Sequence, residues 1–375
     1  MRVLIISTRN FGYSGGISNV ILNYYRSVNK NNIKMDFIVQ RCLDEDLRNE
    51  IEKDGNKIFE LNYRSKFPLK YMRNIKKIVK KGEYDIVHAH GNSCTLAIEL
   101  IASKQGGADV VIPHSHNTYT KYKTLHYLLR GVFNKSYTHG FACGVDAGNW
   151  LFQNDSFTVI NNGIQVDDYL FNNTTRELYR KKLGVENNKV VGNIGAFNHQ
   201  KNHDFIIKVF QELYQLDQSY RLVLVGEGVL KESIEKKVDS LGLSDVVTFA
   251  GKSREVPQLM QAMDMILMPS RYEGLPLTLL EAQAAGLQCF TSDIVTKEVN
   301  ITNTVKYISL EESPQEWALK MQNCSLTNRI LSRDRNRSSI VKSGYSIIEN
   351  AVKLEDTYRK ILLKSKTKVI INKNL

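Results

Sequence analysis

The sequence predicts an α/β protein of two parallel-sheet domains, and three observations carry that prediction. Strand-like and helix-like runs alternate along the chain, as in successive βαβ units. At 375 residues the chain is too long for one ordinary core and suits two. The alternation breaks once, after Asn161-Asn162-Gly163, where Asn-Gly signals a turn and a helix-poor, Asn-rich stretch runs on to Thr175. The expected division is an N-terminal domain over 1–164, a C-terminal domain over 165–344 and a last segment over 345–375.

The strand-like runs of the first domain are Val3–Ser7, Met35–Val39, Ile58–Leu61, Ile86–His90, Val110–Pro113, Phe141–Cys143 and Phe157–Ile160. Those of the second are Val190–Ile194, Leu222–Val225, Val246–Phe249, Met265–Met268 and Cys289–Thr291. A final amphipathic helix is expected over Tyr345–Leu363, followed from Lys364 by a basic, mobile tail.

Composition narrows the class. Hydrophobic residues make up 42% and charged residues 24%, which suits a folded chain rather than a disordered one. Five scattered cysteines, without a Cys-x-x-Cys pair, indicate neither a disulfide framework nor a zinc knuckle. A reducing cytosol is the simplest setting. Met1 to Ser7 reads as a first strand rather than a signal peptide. No apolar run reaches the roughly 18–20 residues of a bilayer span. A formal charge of +12 favours anionic partners.

Much of that charge sits between Tyr63 and Lys81, which holds eight basic residues and no acid. From about Leu69, apolar Leu69, Met72, Ile75 and Val79 recur at helical spacing. The segment predicts a basic amphipathic helix that packs on the sheet with one face and docks on anionic lipid headgroups with the other. No recognition module accompanies it, so nucleic acid is not the expected partner.

Several loops carry candidate chemistry. Phe11-Gly12-Tyr13-Ser14-Gly15-Gly16-Ile17 joins the first strand to a helix from about Ser18, with Gly15 and Gly16 able to let a ligand approach the backbone. The order is not that of the dinucleotide fingerprint. His88 and His90 end one strand, and His114 and His116 follow Val110–Pro113. No carboxylate or cysteine stands at metal-ligand spacing with them, so no metal site is expected. Asp44-Glu45-Asp46 reads as the start of a surface helix.

The richest stretch is Pro269 to Glu281. The apolar run Met265–Pro269 leads through a short turn to a helix that Pro276 can open. Glu273 precedes that helix and Glu281 lies inside it. Free N–H groups at a helix N-terminus favour a phosphate, and carboxylates accept pairs of hydroxyl hydrogen bonds. Upstream, Gly195 opens a loop that reaches Lys201, a point charge suited to a diphosphate. Together these residues suit a sugar nucleotide.

These motifs resemble the retaining glycosyltransferases of family 4, group 1, especially those of bacterial capsule and exopolysaccharide synthesis. The resemblance covers nearly the whole chain. Its most specific element is the Glu-x7-Glu pattern from Glu273 to Glu281 inside MPSRYEGLPLTLLEAQAAGLQCFTSD. LVLVGEGVLKESIEKKV, VTFAGKS, Gln200–His203, VINNGI and His114–Thr118 support it. It implies the GT-B fold, two Rossmann-like domains facing across a cleft, with the last helix returning to the N-terminal domain. It implies Glu273 at the donor sugar and Glu281 at the nucleotide ribose. The diphosphate falls to Lys201 and to the amides over Gly274, Leu275, Leu277 and Thr278. Gly251 and Lys252 fall near the base, and His116 near the sugar, with His114 as the alternative.

Two positions depart from the family pattern. The arginine that follows the loop glycine is replaced by Ala196. One positive charge on the leaving diphosphate is missing, which costs about 2–4 kcal/mol of transition-state stabilisation unless Arg271 or Lys252 compensates. Gln165 replaces an aspartate and alters a hinge turn.

The resemblance therefore implies a peripheral enzyme on the cytoplasmic face of the membrane. It would move a hexose or N-acetylhexosamine from a nucleotide-diphosphate donor, with UDP as the expected carrier, to a lipid-linked oligosaccharide. Configuration would be retained and no metal required. Ala196 motivates a second reading, a non-catalytic or partner-dependent subunit that binds a glycan or a sister transferase.

Overall fold

A computed structural model describes residues 1–13, 16–153 and 155–373. The chain divides into Met1–Gly163 with Ile347–Leu375, and Ile164–Ser346. The first break follows the Asn162-Gly163 turn directly.

The N-terminal unit holds seven parallel strands: β1 (Arg2–Ser7), β2 (Lys34–Val39), β3 (Ile58–Glu60), β4 (Ile86–His90), β5 (Val110–Ser115), β6 (Gly140–Ala142) and β7 (Phe157–Val159). Their order is β3-β2-β1-β4-β5-β6-β7. The chain winds outward from β1, then crosses back to β4. Strand order reverses between β1 and β4, and ligands bind at such switch points, outside the strand C-termini.

The Ile164–Ser346 unit repeats the plan with β8 (Lys189–Ile194), β9 (Tyr220–Val225), β10 (Val247–Gly251), β11 (Met265–Met268), β12 (Gln288–Ser292) and β13 (Val305–Ile308). The order is β10-β9-β8-β11-β12-β13, which puts the switch point between β8 and β11. Central strands such as Ile86–His90 and Met265–Met268 are buried throughout, as expected of a parallel sheet covered on both faces.

Four features differ from the sequence expectation. β13 was not expected, because its four residues include exposed Lys306 and sit at a sheet edge with one partner strand. The stretch before Thr175 is not helix-poor: helices cover Val166–Tyr169 and begin again at Asn173, where the Asn172 side chain caps the Thr175 N–H. The last helix starts at Ile347 and continues to Lys373, so the segment after Lys364 is helical. It contains no glycine or proline to stop the helix. In the basic Pro68–Gly82 helix the buried stripe is Tyr71, Ile75 and Val79, while Leu69 is exposed. An i, i+4, i+8 row through Tyr71 takes the core face, and Leu69 falls outside it.

The last helix packs into the N-terminal unit. Glu355 Oε1 accepts from the Asn29 N–H at 2.6 Å, and Tyr358 is fully buried. Gly163 permits this docking, since a Cβ there would stand 2.7 Å from the Ile347 Cα. The Asn-Gly signal that marks the boundary thus has a packing reason as well as a turn reason.

Candidate active site

In the Ile164–Ser346 unit, the loops after β8 and β11 meet at the switch point. Asn193 on β8 donates to the Leu267 carbonyl on β11 at 2.7 Å, and the Arg271 N–H donates to the Gln200 carbonyl at 2.8 Å. These bonds fix one loop against the other. Lys201 Nζ lies 2.7 Å from Glu273 Oε1, and Gln200 Nε2 donates to Glu273 Oε2 at 3.0 Å. The pair is largely shielded, with the lysine side chain 15% exposed and the glutamate 8%. The Lys201 stem passes 3.1 Å from where a Cβ on Gly195 would stand, so a side chain at 195 would crowd it.

Asn202 holds the turn in the left-handed region at φ 58°. Its amide donates to the Pro269 carbonyl at 3.2 Å, and its Oδ1 accepts from Arg271 at 2.9 Å. Arg271 is exposed, and its side chain is held by Asn202, the residue after Lys201.

The Leu277–Ala284 helix begins directly after this turn, with Pro276 at its N-cap. Gly274, Leu275, Leu277 and Thr278 lie at its mouth, all half-buried. Glu281 follows one turn into the helix. Burial pushes its carboxyl up to about 7, and a contact with the Tyr169 hydroxyl and the Lys201 charge pull it part of the way back. Lys201 thus stands under the influence of both carboxylates of the Glu-x7-Glu pair.

The neighbouring loops close on the same place. Gly226, at φ +147°, leaves its missing Cβ 2.0 Å from the Gly195 carbonyl oxygen, an approach only glycine allows. The Gly226 N–H donates to the Gly251 carbonyl at 2.9 Å, which carries Gly251 and Lys252 to the rim of the cluster.

The N-terminal unit presents a different cluster. In the β4–β5 ladder His90 pairs with His114, so His88, His90, His114 and His116 share one face near the strand ends. All four are buried. His88 Nε2 lies 3.1 Å from His114 Nδ1, and His90 Nδ1 lies 2.8 Å from His116 Nε2. The Tyr358 hydroxyl closes on His88 Nδ1 at 2.6 Å. Burial holds His88 and His116 down at about 3 and pushes His90 and His114 well below the usual imidazole range, so all four rings are neutral near pH 7. His90 Nε2, His114 Nε2 and His116 Nδ1 are buried without a hydrogen-bond partner.

The ring nitrogens of His88, His90 and His114 come within 4.8 Å of one another, close enough to consider a metal. The His88 and His114 rings are parallel within 5° and their facing nitrogens engage each other at 3.1 Å.

The structure brings Gly195, Lys201, Glu273 and Glu281 together at one switch point, with Gly274, Leu275, Leu277 and Thr278 leading into the helix beside it and Gly251 and Lys252 at the end of β10, two strands away. His116 lies in the other unit, and Gly16 opens the Gly16–Ser27 helix there. Gly15 lies outside the described residues. Sequence reasoning missed two residues that act on the pair of acids, Gln200 on Glu273 and Tyr169 beside Glu281. Gln200 sits next to the predicted Lys201 and could have been found; Tyr169 gives no local signal.

The profile described as Glycosyl transferases group 1 matches residues 175–339, and that described as Glycosyltransferase Family 4 matches residues 14–168. The chain is 30% identical over 359 residues to a Bacillus subtilis (strain 168) protein named as a glycosyltransferase, EpsF, covering 92% of this chain and 93% of that one. This chain belongs to the family 4, group 1 glycosyltransferases. It is 24% identical to the Escherichia coli UDP-Gal:alpha-D-GlcNAc-diphosphoundecaprenol alpha-1,3-galactosyltransferase, over 77% of this chain and 79% of that one. The crystal structure of Anabaena HepE in complex with UDP-glucose matches the glycosyltransferase with a TM-score of 0.70 at 18% identity, over 98% of this chain and 99% of that one. The fold is GT-B, as the sequence resemblance implied.

Proposed function

We propose that this glycosyltransferase moves a hexose or N-acetylhexosamine from a UDP-sugar to a lipid-linked oligosaccharide, with retention of configuration, in capsule or exopolysaccharide synthesis. The lipid diphosphate named for the Escherichia coli relative and the UDP-glucose held by HepE support the choice of acceptor and donor. The observation that carries the reading is the Lys201–Glu273 ion pair beside the N-terminus of the Leu277–Ala284 helix.

Glu273 engages the cation that a diphosphate needs. Donor binding exchanges one partner for another. The diphosphate takes Lys201 and the amides at Leu275, Leu277 and Thr278, while Glu273 turns to hydroxyls of the transferred sugar. Glu281 takes the ribose hydroxyls, and Gly251 with Lys252 borders the base. Arg271, held through Asn202 next to Lys201, supplies the second positive charge that Ala196 lacks. His116, with His114 as the alternative, offers an unpartnered ring nitrogen to a sugar hydroxyl.

The bond from C1 of the sugar to the diphosphate breaks, a bond from C1 to the acceptor hydroxyl oxygen forms on the same face, and the hydroxyl proton passes to the departing diphosphate oxygen. Lys201, Arg271 and the helix amides meet the charge that develops on the leaving group, and no metal ion is needed. Exclusion of water suppresses donor hydrolysis.

A panel of nucleotide sugars with a lipid-linked acceptor mixture tests this, read by nucleotide release and by the anomeric configuration of the product. UDP release with a retained product is expected. Inversion, or a preference for a donor other than a UDP-sugar, contradicts the proposal. Absence of UDP binding by calorimetry would instead favour a non-catalytic subunit.

A further inference from the structure

One stretch of the N-terminal unit faces its apolar side chains outward. Lys123–Leu128 and Arg130–Asn134 are short helices that follow the end of β5, and each buries one residue, His126 and Phe133. His126 stacks on Trp150 with ring centroids 4.8 Å apart, and its Nδ1 accepts from the Cys94 N–H at 3.2 Å. The first helix is therefore anchored by a polar ring. Tyr119, Tyr122, Leu125, Tyr127, Leu128 and Val132 are exposed, Leu128 by 75%. Contiguous apolar surface of this kind marks an interaction site rather than a solvated face.

The charge around this surface names the occupant. Lys121, Lys123, Arg130 and Lys135 interleave with the apolar residues, and no acidic residue occurs from Tyr119 to Lys135. Lys121 Nζ lies 4.9 Å from the Tyr122 ring centroid, and the Arg130 guanidinium 5.4 Å from that of Tyr127. Cationic heads over aromatic rings, beside bare leucines, suit the boundary between lipid headgroups and acyl chains. The basic Pro68–Gly82 helix adjoins it. Arg64, just before that helix, feels Tyr122 while it pairs with Glu99, and Phe67 and Leu69 are exposed at the helix start. A second copy of this chain would set the same uncompensated basic residues against themselves. An anionic bilayer neutralises them.

We propose that Tyr119–Val132 is a membrane-inserting element, with Leu125 and Leu128 entering the acyl boundary of an anionic bilayer and the Pro68–Gly82 helix remaining among the headgroups. The inference rests on the lipid-linked acceptor of the proposed function. The element begins three residues after His116, so its insertion brings the membrane surface to the strand ends of the N-terminal unit.

The test is cosedimentation of the full chain with vesicles of phosphatidylcholine, alone or mixed with phosphatidylglycerol, at about 0.1 M and about 1 M salt. Wild type should bind mixed vesicles and keep part of that binding in high salt. A Leu125→Ser/Leu128→Ser variant should lose roughly tenfold or more of its vesicle partition at both salts, with unchanged melting temperature and UDP affinity. A Lys121→Ala/Lys123→Ala variant should lose only the salt-sensitive part. Leu128→Trp should shift its emission to the blue when vesicles are added. Wild-type vesicle partition in the double-serine variant, or an unshifted tryptophan, overturns the inference. So does a lipid-free dimer that the double-serine variant dissociates. If wild type inserts yet transfers no sugar to any lipid-linked acceptor, the insertion stands and the acceptor assignment fails.

Discussion

Both units wind a parallel sheet outward from a central strand and back, so each has a switch point, β1/β4 in one and β8/β11 in the other. Four neutral imidazoles stand beside the first, on the β4–β5 ladder, and leave three ring nitrogens without partners. Lys201, Glu273 and Glu281 occupy the second, where charge meets charge and a helix N-terminus stands open. Neutral rings can give or take a hydrogen bond but cannot balance a diphosphate, so the proposed function assigns the first cluster to hydroxyls. The charged cluster can exchange counterions, so the same proposal assigns it the phosphate. One topology thus supports two binding chemistries through the residues at the strand ends.

The comparison breaks most visibly with pH. The four histidines are held below their ordinary value by burial, so below pH 6.5 the unfolded chain binds more protons than the native one. Their contribution is complete above pH 6.5 and is lost as pH falls toward 3. At pH 5 His88 and His116, held at about 3, each cost up to about 2 kcal/mol relative to neutrality, and His90 and His114 act in the same direction. Urea unfolding at pH 7 and pH 5 should show that loss. A flat profile would mean that the rings are charged or solvated.

Lys201→Ala should lower kcat/KM for the donor by roughly 100- to 1,000-fold, the size of a lost charge on a developing oxyanion. Steady-state kinetics with the correct UDP-sugar reads this directly.

Glu281 runs opposite to the histidines. Its carboxyl sits near 7 in the folded protein against an ordinary 4.5, so the native state binds more protons than the unfolded chain between those values. Stability is complete below about pH 4.5 and falls as pH rises through 7. Glu281→Gln should therefore match wild type at pH 5 and exceed it by about 1–3 kcal/mol at pH 8, while donor affinity drops. Thermal melts at the two pH values give the sign.

The smallest effect concerns Ala196. Arg271→Ala should reduce transfer about tenfold, and adding Ala196→Arg to it should restore most of the loss. A silent Arg271→Ala would remove that side chain from the site.

Most strands and the loops that carry the chemistry were legible in the sequence, because buried parallel strands read as apolar runs and the loops as glycine, acid and lysine at strand ends. The pairing of Lys201 with Glu273 was not. They lie 72 residues apart, and their contact depends on β8 lying next to β11. Tyr169 beside Glu281 was hidden for the same reason. The outward-facing leucines at 125 and 128 resemble core residues until the packing of His126 fixes which side faces in.

The central claim is that Lys201 exchanges Glu273 for a diphosphate. Calorimetry with UDP alone, which lacks the sugar that Glu273 would bind, tests it most directly. Glu273→Gln should bind UDP at least as tightly as wild type, because the competing carboxylate is gone, while Lys201→Ala loses roughly tenfold or more. Equal losses in both variants would show that Glu273 supports the diphosphate site instead of competing for it, and would contradict the account.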